Sequence, residues 1–277
     1  MENIKWDGHT HSEFCRHGSG EKTALMIEKA IKEGFQQYSI TEHAPLPRGI
    51  IEDEVVEKDF ALLANEMESY LSLIGTLKKE YQNHIKVLAG IEIDFFSKFK
   101  PFIVDLLQSY EKELDEAILS IHFMEANGEY LCVDYSANNF EKGLLVYYKT
   151  TDKLHKAYWE LVDEMVSSKY HPKIPVRIGH IALINKYIKR FPLQNPDLFS
   201  KAFFKNIMQQ ISKNGYSLDF DVAGLALKTC GTPLITAPII EWCQDLKIPL
   251  IYGSDAHNIK KVGHFYDQYQ NTITEVE

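Results

Sequence analysis

The 277-residue chain is 45% hydrophobic and 25% charged, the balance of an ordinary soluble globular protein, and its length suits one domain over 1–277. A formal charge of −9 with no long Lys/Arg run argues against a surface that tracks nucleic acid. Without an apolar leader or a run of 18 apolar residues, the chain is expected to be cytoplasmic, neither secreted nor membrane-spanning.

Short β-type runs alternate with helical stretches, which implies a mainly parallel sheet. The first run, 3–8, passes into Asp-Gly-His-Thr-His and then Cys15-Arg16-His17. Residues 21–33 carry Leu25, Ile27, Ala30 and Ile31 near helical period and stop at Gly34. A second strand is expected at 36–41, a long acidic helix over 55–82 and a third strand at 85–92. A helix at 99–112 precedes a fourth strand at 115–121. Residues 123–139 are the least regular and read as an active-site flap, followed by a helix at 140–168. Strands at 175–179, 216–221 and 249–253 alternate with helices at 197–214 and 236–246, which makes seven strands.

Each strand ends in a metal-competent residue or runs straight into one. His9 and His11 stand two apart, and residues two apart on a strand share a face. The second strand delivers His43 with Glu42 beside it, and the third delivers Glu92 and then Asp94 on the same side. The fourth ends at His122 and the fifth at His180; the sixth supplies Asp219 or Asp221, and the seventh leads to Asp255 and His257. In a parallel barrel these ends open on one face, where active sites lie. Counting His17, seven of the eleven histidines belong to this pattern; His84, His155, His171 and His264 read as surface or structural.

Seven imidazoles with Glu92 and Asp255 exceed the three protein ligands of a single catalytic zinc, so more than one ion is expected, with Glu92 placed to bridge. Nitrogen and carboxylate ligands suit Zn, Fe or Mn. The scattered Cys15, Cys132, Cys230 and Cys243 read as free thiols, and Cys15 as a packing residue before a ligand. Adjacent ions stabilise both the attacking and the leaving oxygen of a phosphoryl displacement, so phosphate-ester hydrolysis follows, although amide or lactone hydrolysis would use similar parts.

The ordered stretches Asp-Gly-His-Thr-His, His17, Thr-Glu-His, Gly-Ile-Glu-Ile-Asp, Ile-His, Gly-His and Gly-Ser-Asp-Ala-His run from residue 7 to 257. Together they closely resemble the polymerase-and-histidinol-phosphatase (PHP) family. The resemblance implies a distorted (β/α)₇ barrel, an α/β fold that agrees with the strand count. It also implies that every ligand position of the family's three-metal members is filled. One divalent ion would be held by His9, His11, Glu92 and Asp255. A second would share Glu92 and take His122 and His180, and a third would use His17, His43 and His257.

Within the family, the run Cys15 to Gly20 and the stretch Thr-Glu-His-Ala-Pro-Leu look like the stand-alone histidinol-phosphate phosphatases. Their sixth-strand motif usually reads Glu-x-Asn; Asp219 and Asp221 stand there instead, a departure that bears on substrate contact. The implied reaction is hydrolysis of L-histidinol phosphate in histidine biosynthesis, by attack of a metal-bridging hydroxide on phosphorus. Glu92 and His257 would serve at the reacting centre, and Asp94 would donate a proton to the leaving alkoxide or orient a ligand. Arg16, Arg177 and Lys228 are the cations expected near the rim to hold phosphate. The rival readings are a PHP phosphoesterase for other small monoesters or nucleotides, and a non-catalytic PHP module that binds metal structurally.

Overall fold

The computed structural model describes residues 4–51, 59–170 and 172–276; residue 3 of the first expected strand, 55–58 of the long helix and His171 lie outside them. All the expected strands form. They are β1 (Trp6–Asp7), β2 (Gln37–His43), β3 (Lys86–Asp94) and β4 (Glu116–Ser120), then, after a hairpin of β5 (Phe123–Ala126) and β6 (Glu129–Cys132), β7 (Val176–Ile178), β8 (Ser217–Asp221) and β9 (Leu250–Gly253). The seven-stranded sheet runs β1-β2-β3-β4-β7-β8-β9 with every neighbour parallel. Gly8 N donates to Tyr252 O (2.8 Å), His11 N to Ala256 O (2.9 Å) and Asp255 N to His9 O (2.9 Å), which joins the first strand to the last. The result is a parallel α/β barrel. Its strands are buried on both faces, β2 and β4 throughout, as parallel strands covered by helices must be.

The helices wrap the barrel: α1 (Thr23–Lys32), α2 (Met67–Tyr81), α3 (Lys100–Ser109), α4 (Thr151–Ser167), α5 (Lys205–Lys213), α6 (Ala237–Asp245) and α7 (Tyr266–Val276). The helix expected over 55–82 is regular only over Met67–Tyr81, after a 3-10 turn at Ala64–Glu66, and that expected over 197–214 only over Lys205–Lys213; two further departures have local causes. The helix expected over 140–168 is split, because Lys149 takes a φ of +71° and Thr150 starts α4 as an N-cap, its side chain accepting from Lys153 N at 3.2 Å. Ahead of the break, Ala137–Phe140, a π-helical turn Glu141–Leu145 and Val146–Tyr148 form a separate arm. The other departure is α7, which the polar run Asp-Gln-Tyr-Gln-Asn-Thr conceals. Tyr266, Tyr269 and Ile273 recur at helical spacing and pack on the main core, Tyr266 and Tyr269 against Tyr252.

The stretch expected to be irregular holds the β5–β6 hairpin. Together with the segment after β2, it roofs one end of the barrel. Ile50, Ile51, Phe60, Ala61, Phe96 and Phe123 form a small apolar cluster apart from the main core. Phe60 lies with its ring centroid 4.7 Å from that of His43 and 5.0 Å from that of His122.

Candidate metal centre

Strand register brings the donors together. In β2–β3, His43 is paired directly with Glu92, and just beyond β1 Thr10 is bridged to Ala256, which sets His9 and His11 beside Asp255. Glu92 is the hub. Its Oε2 lies 3.3 Å from His9 Nε2, 3.2 Å from His43 Nδ1 and 3.7 Å from His11 Nε2. Its Oε1 lies 2.8 Å from His180 Nε2 and 3.7 Å from His122 Nε2, and accepts from Ser120 Oγ at 2.6 Å. At the outer end, His17 Nε2 and His257 Nε2 face each other at 3.0 Å, and His17 Nδ1 lies 2.9 Å from Asp59 O. Asp255 Oδ1 sits 3.2 Å from His11 Nε2. Asp255 holds a φ of +50°, a left-handed conformation that costs a non-glycine residue about 1 kcal/mol.

Groupings whose ligand atoms all lie within 4.8 Å of one another include His17/His43/His257, His9/Glu92/His180, His9/His11/Asp255 and His11/His43/Glu92. Cys15, buried beside them, completes another with His11 and His257. His9 Nε2, His11 Nε2, both nitrogens of His43, Glu92 Oε2 and His180 Nδ1 are buried with no hydrogen-bond partner among the described residues. Buried polar atoms are nearly always paired, and several orphans aimed into one space fit cations that complete them. The residues therefore suit divalent metal by position and by donor chemistry.

The electrostatics lead to the same conclusion. Burial alone would raise the Glu92 carboxyl, but positive charge on His9, His122 and His43 holds it well below the usual range. Burial would likewise depress His11 and His122. Hydrogen bonds to Asp255 and Glu42 instead lift His11 to about 9, and the charges of Asp94 and Glu92 lift His122 to about 10. Burial and the neighbouring His11 charge drive His257 down to about 3. The ionised carboxylates thus make a negative centre that favours a cation, a proton on His11 and His122 or a metal in its place, while His257 stays neutral with a free nitrogen to offer.

A carboxylate backs the far nitrogen of three of these rings. Asp219 Oδ2 lies 2.6 Å from His9 Nδ1, Glu42 Oε1 lies 3.2 Å from His11 Nδ1, and Asp94 Oδ1 lies 3.0 Å from His122 Nδ1. Such partners fix ring orientation and raise ligand basicity. The choice between Asp219 and Asp221 is thereby made for His9, while Asp221 Oδ1 accepts from Ala223 N at 2.6 Å. Of the two roles open to Asp94, orienting a ligand is the one its geometry displays. At Gly179 only a glycine fits, since a Cβ there would lie 2.3 Å from Ser120 Oγ and 3.5 Å from Glu92 Oε1.

The site opens into a cleft of 640 Å³ lined by His17, His122, His180, Asp255 and His257, with Lys186 and Asp134 on its wall. A second hollow of 310 Å³ shares His17, Asp134 and Lys186 and adds Arg16, Phe60 and Tyr135. Arg16 stands at this mouth, its guanidinium on Glu66 at 2.5 Å. Arg177 does not reach the rim. It is 1% exposed, bonded to Glu116, to Gly8 O and to Asp219 Oδ1 (3.2 Å), with its guanidinium 4.8 Å from the Trp6 ring centroid, so it sits inside the barrel beneath His9. Lys228 is exposed and lines neither hollow. The cations sequence reasoning missed are Lys261 and Lys186, the latter paired with Asp134 Oδ2 at 2.8 Å. Nothing in the spacing of Lys186 announces it, because it reaches the cleft from the short 3-10 turn Leu183–Tyr187 that follows β7.

The PHP domain family model matches residues 7–222. A curated relative, the histidinol-phosphatase of Bacillus subtilis, is 34% identical over 265 residues, covering 96% of this chain and 98% of the relative. Among solved structures, a Listeria monocytogenes protein assigned as a histidinol phosphatase superposes with a TM-score of 0.89 at 31% identity, covering 96% of this chain and all of that one. The Lactococcus lactis histidinol phosphate phosphatase, solved with zinc, L-histidinol and phosphate, has the same fold, with a TM-score of 0.68 at 18% identity over 99% of this chain and 92% of that one.

Proposed function

The chain belongs to the PHP domain family, and on that premise we propose that it is a histidinol-phosphatase of histidine biosynthesis, cleaving L-histidinol phosphate to L-histidinol and phosphate. The observation that carries the reading is the convergence of buried, unpartnered imidazole nitrogens on Glu92, in a chain similar over nearly its full length to a histidinol-phosphatase. No helix among the described residues is long and apolar enough to cross a membrane.

In this reading three divalent ions are held by the chain: one by His9, His11, Glu92 and Asp255, one by Glu92, His122 and His180, and one by His17, His43 and His257. Support comes from the close groupings of these ligand atoms and from the hub position of Glu92. When bound, the ions supply an acidified water as nucleophile and neutralise charge on the phosphoryl oxygens. The protein does the rest. Asp219, Glu42 and Asp94 keep His9, His11 and His122 aimed inward. Lys186, Lys261 and Arg16, on the walls of the two hollows, are cations available to the phosphate. The Phe60 roof over His43 and His122 limits water at the reacting centre. Water oxygen bonds to phosphorus as the ester P–O bond breaks, and the departing alkoxide takes up a proton.

The test is phosphate release from L-histidinol phosphate against a panel of small phosphate monoesters and nucleotides, with metal content measured on the same preparation. A kcat/KM highest for L-histidinol phosphate is expected. Equal or higher values for another ester would refute the substrate assignment, and inactivity of metal-replete protein on every ester would refute the phosphatase reading.

A further inference from the structure

Among the charged side chains outside the ligand set, Arg177 is held at three points and stacked at a fourth. Its guanidinium touches Glu116, Gly8 O and Asp219 Oδ1 and lies against the Trp6 ring. The other oxygen of Asp219 is 2.6 Å from His9 Nδ1, and His9 Nε2 in turn points at Glu92 Oε2, 3.3 Å away. One unbroken line therefore runs Glu116–Arg177–Asp219–His9 from the barrel interior to the ligand cluster. It is fully desolvated: Arg177, Asp219, His9 and Glu116 are each at most 4% exposed. The register that builds it is set by β7, whose Arg177 pairs with Ile118 on one side and Ser217 on the other, bringing Glu116 and Asp219 within reach. The room is provided by Gly8, where a Cβ would lie 2.3 Å from Nη1.

We infer that Arg177 is a positioning residue for His9: it holds Asp219 in the one orientation that turns the Nδ1 edge of His9 inward and leaves Nε2 free for metal. The inference rests on the reading of His9 as a ligand. The physical case is that a buried carboxylate without its cation is costly and shifts, rotates or draws in water, and His9 then loses the partner that fixes its ring. Lysine is a poor substitute. A guanidinium spreads several donors in a plane and can meet Glu116, Gly8 O and Asp219 together while stacking on Trp6; an ammonium is a single point on a flexible stem.

The experiment compares wild type, Arg177→Met, Arg177→Lys and His9→Ala, each reconstituted with zinc alone. Metal content is measured after chelator competition, and the His9 tautomer is read from ¹⁵N shifts of the imidazole. Arg177→Met is expected to release one ion per chain about 10–100-fold more readily, the range for loss of an outer partner of a liganding histidine. The remaining ions should stay bound, and the His9 signal should move away from the Nδ1–H form. Arg177→Lys should fall between, kcat should drop, and KM for L-histidinol phosphate should stay within about two-fold. Should Arg177→Met fail to fold, the lysine variant decides. Wild-type metal retention and tautomer in a folded variant, even with a lower Tm, would overturn the inference, and so would a large KM rise at constant metal content. If wild type and His9→Ala hold metal identically, the reading of His9 as a ligand fails instead.

Discussion

Glu42 provides the sharpest test of whether carboxylates behind the imidazoles set metal affinity. It is 1% exposed and accepts four hydrogen bonds, from His11 Nδ1 (3.2 Å), Ser12 N (2.9 Å), Ser12 Oγ (2.6 Å) and His43 N (3.1 Å). Two of these donors belong to proposed ligands, one in the segment beyond β1 and one at the end of β2, so Glu42 ties His11 and His43 together. Glu42→Gln preserves the shape but turns one acceptor oxygen into a donor, so part of the set then faces an N–H. A buried donor left unmet costs about 1–3 kcal/mol. Loss of the outer partner of a liganding histidine costs about 10–100-fold in affinity or activity. Metal in Glu42→Gln should therefore be stripped by chelator at about 10–100-fold lower competitor concentration, with kcat falling in parallel and Tm falling several degrees. Glu42→Ala, which leaves all four donors unmet, should be worse on every count. A folded Glu42→Gln with wild-type metal retention and kcat would refute the reasoning.

Other expectations bear on separate parts of the molecule. Burial pushes His155 down to about 4, so the folded state resists a proton that the unfolded chain accepts at about 6.5; stability is lost as pH falls through that window, by up to about 3 kcal/mol. His155→Phe should shrink the difference in urea midpoint between pH 7 and pH 5, and an unchanged difference would count against the assignment. Gly8→Ala forces a Cβ to within 2.3 Å of Arg177 Nη1 and 2.5 Å of Ile251 Cγ2, which should cost about 1–3 kcal/mol in thermal unfolding; a neutral variant would mean the barrel interior is looser than its contacts imply. Arg16→Ala removes a surface ion pair worth at most about 1 kcal/mol, yet KM for L-histidinol phosphate should rise several-fold at constant metal content. If KM does not move, Arg16 serves its pair with Glu66 alone. Stripping metal should abolish phosphate release and lower Tm, and adding back Zn, Fe or Mn singly identifies the effective ion; activity that survives stripping would exclude a metal mechanism.

Strand-end patterning made the barrel and the donor set legible, because alternation in strands and a common open face are properties of local sequence. His9, His11, Glu92 and His180 could be placed together without knowing how the strands pair. What resisted reading depended on register. Arg177 stands between Val176 and Ile178 near a strand end, which suggested the rim; only the neighbouring strands, with Glu116 and Asp219, make the interior tolerable for it. Glu42 and Asp219 were visible as carboxylates but not as partners of particular rings. Lys186 and Asp134 meet across two loops, and loop geometry leaves no period to detect. The helix α7 was hidden by its polar composition, since its apolar stripe of Tyr266, Tyr269 and Ile273 is narrow.

The seam between β1 and β9 bears on how the protein acquires its metal. His17 and His257 face each other although 240 residues separate them, and Asp255 is bonded by its backbone to His9. A chain still emerging from the ribosome would carry its early imidazoles long before Asp255 and His257 exist. Complete capture of the ions therefore follows closure of the barrel, the slow step expected of contacts so distant in sequence. In the proposed three-ion arrangement, an ion shared across the seam would act as a clasp between the two far-separated segments, and its binding energy would count toward the fold. The donors proposed for chemistry would thus also be the molecule's fastening.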